Sequence, residues 1–303
     1  MHTLVRKLSF GCAILLPFAF SLSPVLNAQN TQDDGPPNVL IIQREYLKPG
    51  KGGMLHERSE SAFVHAFTNA KSDSHYFALD SLSGPTRSLF LMGYNNFADW
   101  EKDRTATTND KVLSAAVDHA ALMDGDLLSS YDSVAMRLRP DLSLNKGSIN
   151  GTRYFEITTF IVKPGHRHDF EQLAHTYADA YRKVAPDTHW DCFEVMYGNP
   201  LPGAGVPSGG AFVVVNTMKS QAETDKGIAD SEKFAKELGS SGMQKIEELS
   251  AASIETTTTN LFEINPRMSN PPQEWVTREP RFWKGSQPSM TSMMKKPAPK
   301  TAN

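Results

Sequence analysis

At 303 residues, 39% apolar and 21% charged, the chain is long enough for two domains with ordinary cores. A formal net charge of −3 without any basic stripe excludes a nucleic-acid-binding surface of the usual kind. Two cysteines are too few for a disulfide framework.

The first 28 residues read as a signal peptide. Arg6 and Lys7 precede an apolar stretch from Leu8 to Phe20, and Leu26-Asn27-Ala28 ends in a small residue suited to cleavage. Gly11, Pro17, Ser21 and Ser23 leave the run too short to span a bilayer, and Cys12 lies at the start of the apolar stretch instead of after it, unlike a lipidated cysteine. The expectation is export to a periplasm or the cell exterior, with no membrane span after cleavage. Removing the two basic leader residues leaves 29 basic against 34 acidic groups, a net charge of −5, and Cys192 as the sole cysteine.

After a linker over 29–37, a first unit spans 38–145. Val39 to Leu47 reads as a strand stopped by Pro49-Gly50. Lys51 to Ala70 reads as an amphipathic helix whose apolar positions are Leu55, Ala62, Phe63, Ala66 and Phe67. His75 to Leu82 and Arg87 to Gly93 flank the turn Ser83-Gly84-Pro85-Thr86 as a hairpin. Asn96 is placed to cap a helical region that starts at Phe97, and Ser130 to Arg139 alternates as a closing strand.

A second unit, 151–269, repeats this order. Thr152 to Val162 is a strand, and Phe170, Leu173, Ala174, Tyr177, Ala178 and Tyr181 form a helical stripe. His189 to Tyr197 and Ala211 to Met218 pair across a Gly/Pro-rich loop. Ser220 and Glu223 form a capping-box pattern, and Ile254 to Ile264 is the last strand. An aromatic C-terminal arm over 270–284 carries Trp275, Phe282 and Trp283, expected to pack over the second unit, and 285–303 reads as a disordered tail.

Two sequence echoes tie the units together. Leu47-Lys48-Pro49-Gly50-Lys51 returns 115 residues later as Val162-Lys163-Pro164-Gly165-His166, and Arg139-Pro140-Asp141-Leu142-Ser143 returns at an offset of 126 as Asn265-Pro266-Arg267-Met268-Ser269. A duplicated βαββαβ domain follows. The fold class is α+β: two fused ferredoxin-like units that stack their bare sheet faces within one chain. The apolar strand ending in Lys-Pro-Gly, followed by an amphipathic helix, resembles the dimeric α+β barrel superfamily, with its antibiotic-biosynthesis-monooxygenase-like, NIPSNAP-like and chlorite-dismutase-like members. That resemblance spans Val39 to about Met268. It implies an α+β barrel and admits cofactor-free oxygenases, haem proteins and domains without a reaction.

Aligned at the offset of 115, His56 and Glu60 match Glu171 and His175, a His/Glu pair at i,i+4 on each first helix with the order exchanged. These four are the catalytic candidates. The favoured account is nonetheless two surface pairs on outer helices, far apart, with no metal set. His56 is also a conceivable lone haem ligand, because it borders the Phe63 and Phe67 side of its helix. His168 and His175 rise too far apart, ~10.5 Å, to share one ion.

Gly203 to Gly210 leads into a strand and lacks dinucleotide spacing. Asn150-Gly151-Thr152 is a weak glycosylation match. Arg44, Glu45, Arg137, Trp190 and Tyr197 come from strands and are candidates to line a pocket between the sheets. The leading expectation is an exported binder of a small apolar molecule. The rivals are an oxygenase-type or haem-dependent enzyme and an interaction protein that uses its arm.

Overall fold

The computed structural model describes residues 35–201 and 207–284, so the expected leader, most of the linker, the tail and the centre of the Gly/Pro-rich loop lie outside the described residues. The first strand, β1 (Val39–Leu47), opens on four buried apolar residues, Val39 to Ile42, because both of its faces are covered there. Leu40 and Ile42 point to one core, and Val39 and Ile41 point to another beneath the helices.

The element order continues with α1 (Met54–Ala70), β2 (Phe77–Ser81), β3 (Arg87–Tyr94), α2 (Phe97–Asn109), α3 (Lys111–Gly125) and β4 (Leu128–Leu138). The second half adds β5 (Tyr154–Val162), α4 (Arg167–Val184), β6 (Asp191–Gly198), β7 (Ala211–Met218), α5 (Ala222–Ser253) and β8 (Ile254–Ile264).

The strands form one closed antiparallel barrel in the order β1-β3-β2-β8-β5-β7-β6-β4. The expected stacking of two separate sheets is thereby corrected. The halves meet edge to edge, through β2 with β8 and β4 with β6, and closure removes the four free edges that stacked sheets would leave. All eight strands feed a single interior core that includes Leu79, Met136, Phe155, Phe193 and Phe262.

Smaller corrections have local causes. The helical region after Asn96 is two helices, because the Asp110 carboxylate accepts the Val112 and Leu113 N–H groups and opens α3. In the expected capping box only Glu223 acts, accepting from the Lys219 N–H at 2.9 Å, and Ser220 makes no side-chain cap.

The Lys-Pro-Gly echo is a structural device. Gly50 and Gly165 take φ of 76° and 82°, a left-handed turn that favours glycine. Lys48 and Lys163 send their ammonium groups to the carbonyls of Asp126 and Ala251, at the C-terminal ends of α3 and α5, where the helix dipole welcomes a cation.

The second echo closes the barrel. Ser143 Oγ donates to the Arg139 carbonyl and accepts the Cys192 N–H, and Ser269 Oγ does the same with the Asn265 carbonyl and the Ala78 N–H. Each motif stitches one of the two seams between the halves.

The arm is short helices, α6 (Gln273–Arg278) and α7 (Pro280–Trp283). It reaches both halves rather than the second alone. Phe77 of β2 stacks on Trp275 and Trp283, at centroid distances of 4.8 and 5.9 Å, while Arg153 beside β5 bonds Glu279 and lies 3.8 Å over the Phe282 ring.

Candidate functional sites

Glu45, His56, Glu60 and Asp124 converge between the barrel wall and its helices. Glu45 shares the outward face of β1 with Val39 and Ile41. His56 and Glu60 are one turn apart on α1, and Asp124 follows Leu113 and Ala120 along the buried face of α3. All four are buried, His56 to 1% exposure, Asp124 to 2%, Glu60 to 3% and Glu45 to 8%. His56 Nε2 lies 3.1 Å from Glu45 Oε2, 3.6 Å from Asp124 Oδ1 and 3.9 Å from Glu60 Oε1.

Three carboxylates in so dry a space cannot all stay charged on their own. Burial, followed by the charges of Glu45 and Asp124, pushes the Glu60 carboxyl up to about 10, and burial likewise raises Glu45 against the pull of His56. Glu60 Oε1 and Asp124 Oδ1 are buried without a hydrogen-bond partner. Such a set can share protons or bind a cation.

The structure therefore corrects the reading of His56 and Glu60 as a surface pair: the buried face of α1 runs through them to Ala66, and Leu55 is 43% exposed. The other candidate pair goes elsewhere. Glu171 on α4 binds Arg139 and Arg167 beside Glu194, and His175 is exposed.

The five candidate pocket residues do not line one space. Arg44 turns inward to Asp132 at 2.5 Å and to the carbonyls of Pro200 and Asn199. Glu45 is in the cluster, and Arg137 pairs with Glu194 on the outer face. Trp190 donates to the Leu142 carbonyl and meets Tyr181 edge-on. Tyr197, 62% exposed, borders a cleft along α2.

Sequence reasoning missed Asp124 and the partnership of Glu45, although both interrupt an otherwise apolar stripe, which was the available signal. The cleft, about 550 Å³, runs along α2 and is lined by Phe97, Trp100, Glu101, Arg104, Thr105, Thr108, Asn109 and Tyr197. Phe97 meets Tyr197 edge-on at 6.1 Å, and the Arg104 guanidinium lies 5.8 Å over the Trp100 ring. Neither a histidine nor a cysteine lines it, and His56 lies apart from it, ringed by carboxylates. His56, 1% exposed and surrounded by three carboxylates, does not fit the axial ligand of a haem iron, and His175 is exposed on α4.

No protein-family model and no curated protein matches the chain. Among solved structures it is similar to a candidate monooxygenase from Fusobacterium nucleatum, at 11% identity and a TM-score of 0.47 over 75% of this chain and 91% of that one. It is also similar to an anthrone oxidase-like protein, at 11% identity and a TM-score of 0.45 over 77% and 92% of the two chains. A chlorite dismutase variant from Candidatus Nitrospira defluvii gives 12% identity and a TM-score of 0.44 over 80% and 95%. Likeness at this level says nothing about ligand or reaction.

Proposed function

We propose that this chain is an exported binding protein, built by tandem duplication of a ferredoxin-like unit, that holds a small, largely apolar molecule in the cleft along α2. Duplication is supported by the matched lysine and serine devices, which recur at both ends of both units. Export rests on the leader pattern alone. N-terminal sequencing of the exported protein is expected to begin near Gln29.

The observation that carries the binding reading is that α2, thirteen residues long, buries none of them. Phe97 and Trp100 touch the small core of Val39, Ile41 and Ala135 with part of their surface, and together with Arg104 they border open space opposite Tyr197. A helix of four turns ordinarily docks an apolar face. Here aromatic walls with one guanidinium at the rim suit a flat, anionic aromatic molecule. Binding, not catalysis, is assigned, since the lining brings Glu101 together with no second carboxylate, histidine or cysteine.

An aromatic sulfonate, 8-anilinonaphthalene-1-sulfonate, serves as the probe. Fluorescence titration is expected to show one saturable site. Trp100→Ala and Arg104→Ala are each expected to weaken it about tenfold, ~1.4 kcal/mol. Absence of a saturable site, or unchanged affinity in both variants, would overturn the reading.

A further inference from the structure

His56 is oriented from its far side. Its Nδ1 lies 3.4 Å from Ser88 Oγ, and that hydroxyl donates to Asp80 Oδ1 at 2.6 Å. Since the Ser88 proton is committed to Asp80, the ring proton belongs on Nδ1, and Nε2 faces the three carboxylates. A carboxylate–hydroxyl–imidazole chain of this kind commonly fixes the tautomer of a metal-binding histidine.

A proton on Nε2 would satisfy Glu45, the nearest oxygen at 3.1 Å. It would leave Glu60 Oε1 and Asp124 Oδ1 unpartnered, as both are now, in side chains 96% and 97% buried. Each proton in the cluster, on His56 or on Glu60, joins a single pair of groups, whereas one cation serves all four donors. The donor atoms lie within 4.8 Å of one another. With metal–ligand distances of ~2.1 Å, adjacent donors stand ~3.0–3.4 Å apart and opposite donors ~4.2 Å, so the widest separation must close by roughly 0.6 Å if those two donors lie opposite one another and by roughly 1.4 Å in a tetrahedron.

The second half gives an internal contrast. At the position 115 residues on from Glu45 it places Phe160 against Phe170, which stacks in turn on Phe212, while Glu171 and His175, the counterparts of His56 and Glu60, lie outside that layer. Apolar side chains thus fill the layer between barrel and helix there, and the fold has no need of ionisable groups at that place.

We propose that Glu45, His56, Glu60 and Asp124 bind one divalent first-row transition ion of the Mn2+ or Zn2+ class. One imidazole and three carboxylates suit these ions better than Ca2+ or Mg2+, which prefer oxygen alone, or Cu(I), which prefers sulfur. With every ligand buried, no coordination position opens to a substrate, so the ion is structural. It fastens α1 and α3 to β1, where a chain with Cys192 as its only described cysteine has no disulfide to do so. A sealed site fills as the chain folds. This assignment is independent of the cleft.

The test is elemental analysis and native mass spectrometry of the full chain purified without chelators, followed by unfolding with chelator and refolding in metal-free buffer with or without Mn2+, Zn2+ or Co2+. The expected results are about one ion per chain and a Tm roughly 5–10 °C higher when refolded with metal. A visible Co2+ absorption band should be present in the wild type and absent from His56→Asn. Glu60→Gln and Asp124→Asn, which keep side-chain shape, should fold by circular dichroism and lose the ion. If those variants fail to fold, the wild-type refolding comparison decides alone. No bound ion after purification, and none after refolding in excess metal, would overturn the proposal in favour of a proton-sharing cluster.

Discussion

Asp191 shows what one residue does to stability. It lies on the same side of β6 as Phe193 and Val195, in the interior core, and its Oδ1 is buried without a partner. Burial pushes its carboxyl up to about 7. Below the ordinary aspartate range both folded and unfolded chains hold the proton. Between there and about 7 the unfolded chain has lost a proton that the native state keeps, so stability falls as pH rises across this window and is flat above it. Asp191→Asn is expected to raise Tm by roughly 3–6 °C near pH 8 and to leave it nearly unchanged near pH 4, read by calorimetry. An equal shift at both pH values would assign the effect to packing.

At the scale of elements, Glu194 joins β4, β6 and α4 through Arg137 at 2.7 Å, Arg139 at 3.4 Å and Arg167 at 2.7 Å. Burial opposes its ionisation, yet the hydrogen bonds and charges of Arg167 and Arg137 outweigh that and hold the carboxyl at about 2. Its contribution is complete above the ordinary glutamate range and is lost as pH falls from there towards 2. Glu194→Gln is expected to cost about 1–3 kcal/mol at neutral pH and to flatten acid unfolding across that window. The arm is a second such case. Phe77→Ala removes the ring on which both Trp275 and Trp283 stack and is expected to cost about 3 kcal/mol. A lower urea midpoint at unchanged slope would check it.

Strand positions were legible because runs of β-branched and apolar residues bounded by turn signals are local: β1, β7 and β8 match their sequence boundaries residue for residue. The polar pair on α1 was not, because Leu55, Ala62 and Phe63 outweigh His56 and Glu60 in any stripe drawn from composition, whereas burial follows partners brought from β1 and α3.

For the whole molecule, the question left unread in the sequence was how the halves meet, since Leu79 pairs with Ile264 across 185 residues and no local pattern announces such a contact. The second echo is what holds those contacts. At the β4–β6 seam five register pairs accompany the Ser143 stitch, and at the β2–β8 seam only three accompany Ser269. Ser143→Ala and Ser269→Ala each leave one buried N–H, of Cys192 or Ala78, without its acceptor, so both should lower global stability by about 1–3 kcal/mol. Local opening should differ, because the shorter seam has fewer bonds to sustain it once its stitch is cut. Hydrogen exchange is expected to show Ser269→Ala exposing Ala78 and its β2 neighbours well before global unfolding, with a smaller effect of Ser143→Ala at Cys192. Equal loss of protection at the two seams would mean that closure is held by the shared interior core, with the serine stitches contributing only to register.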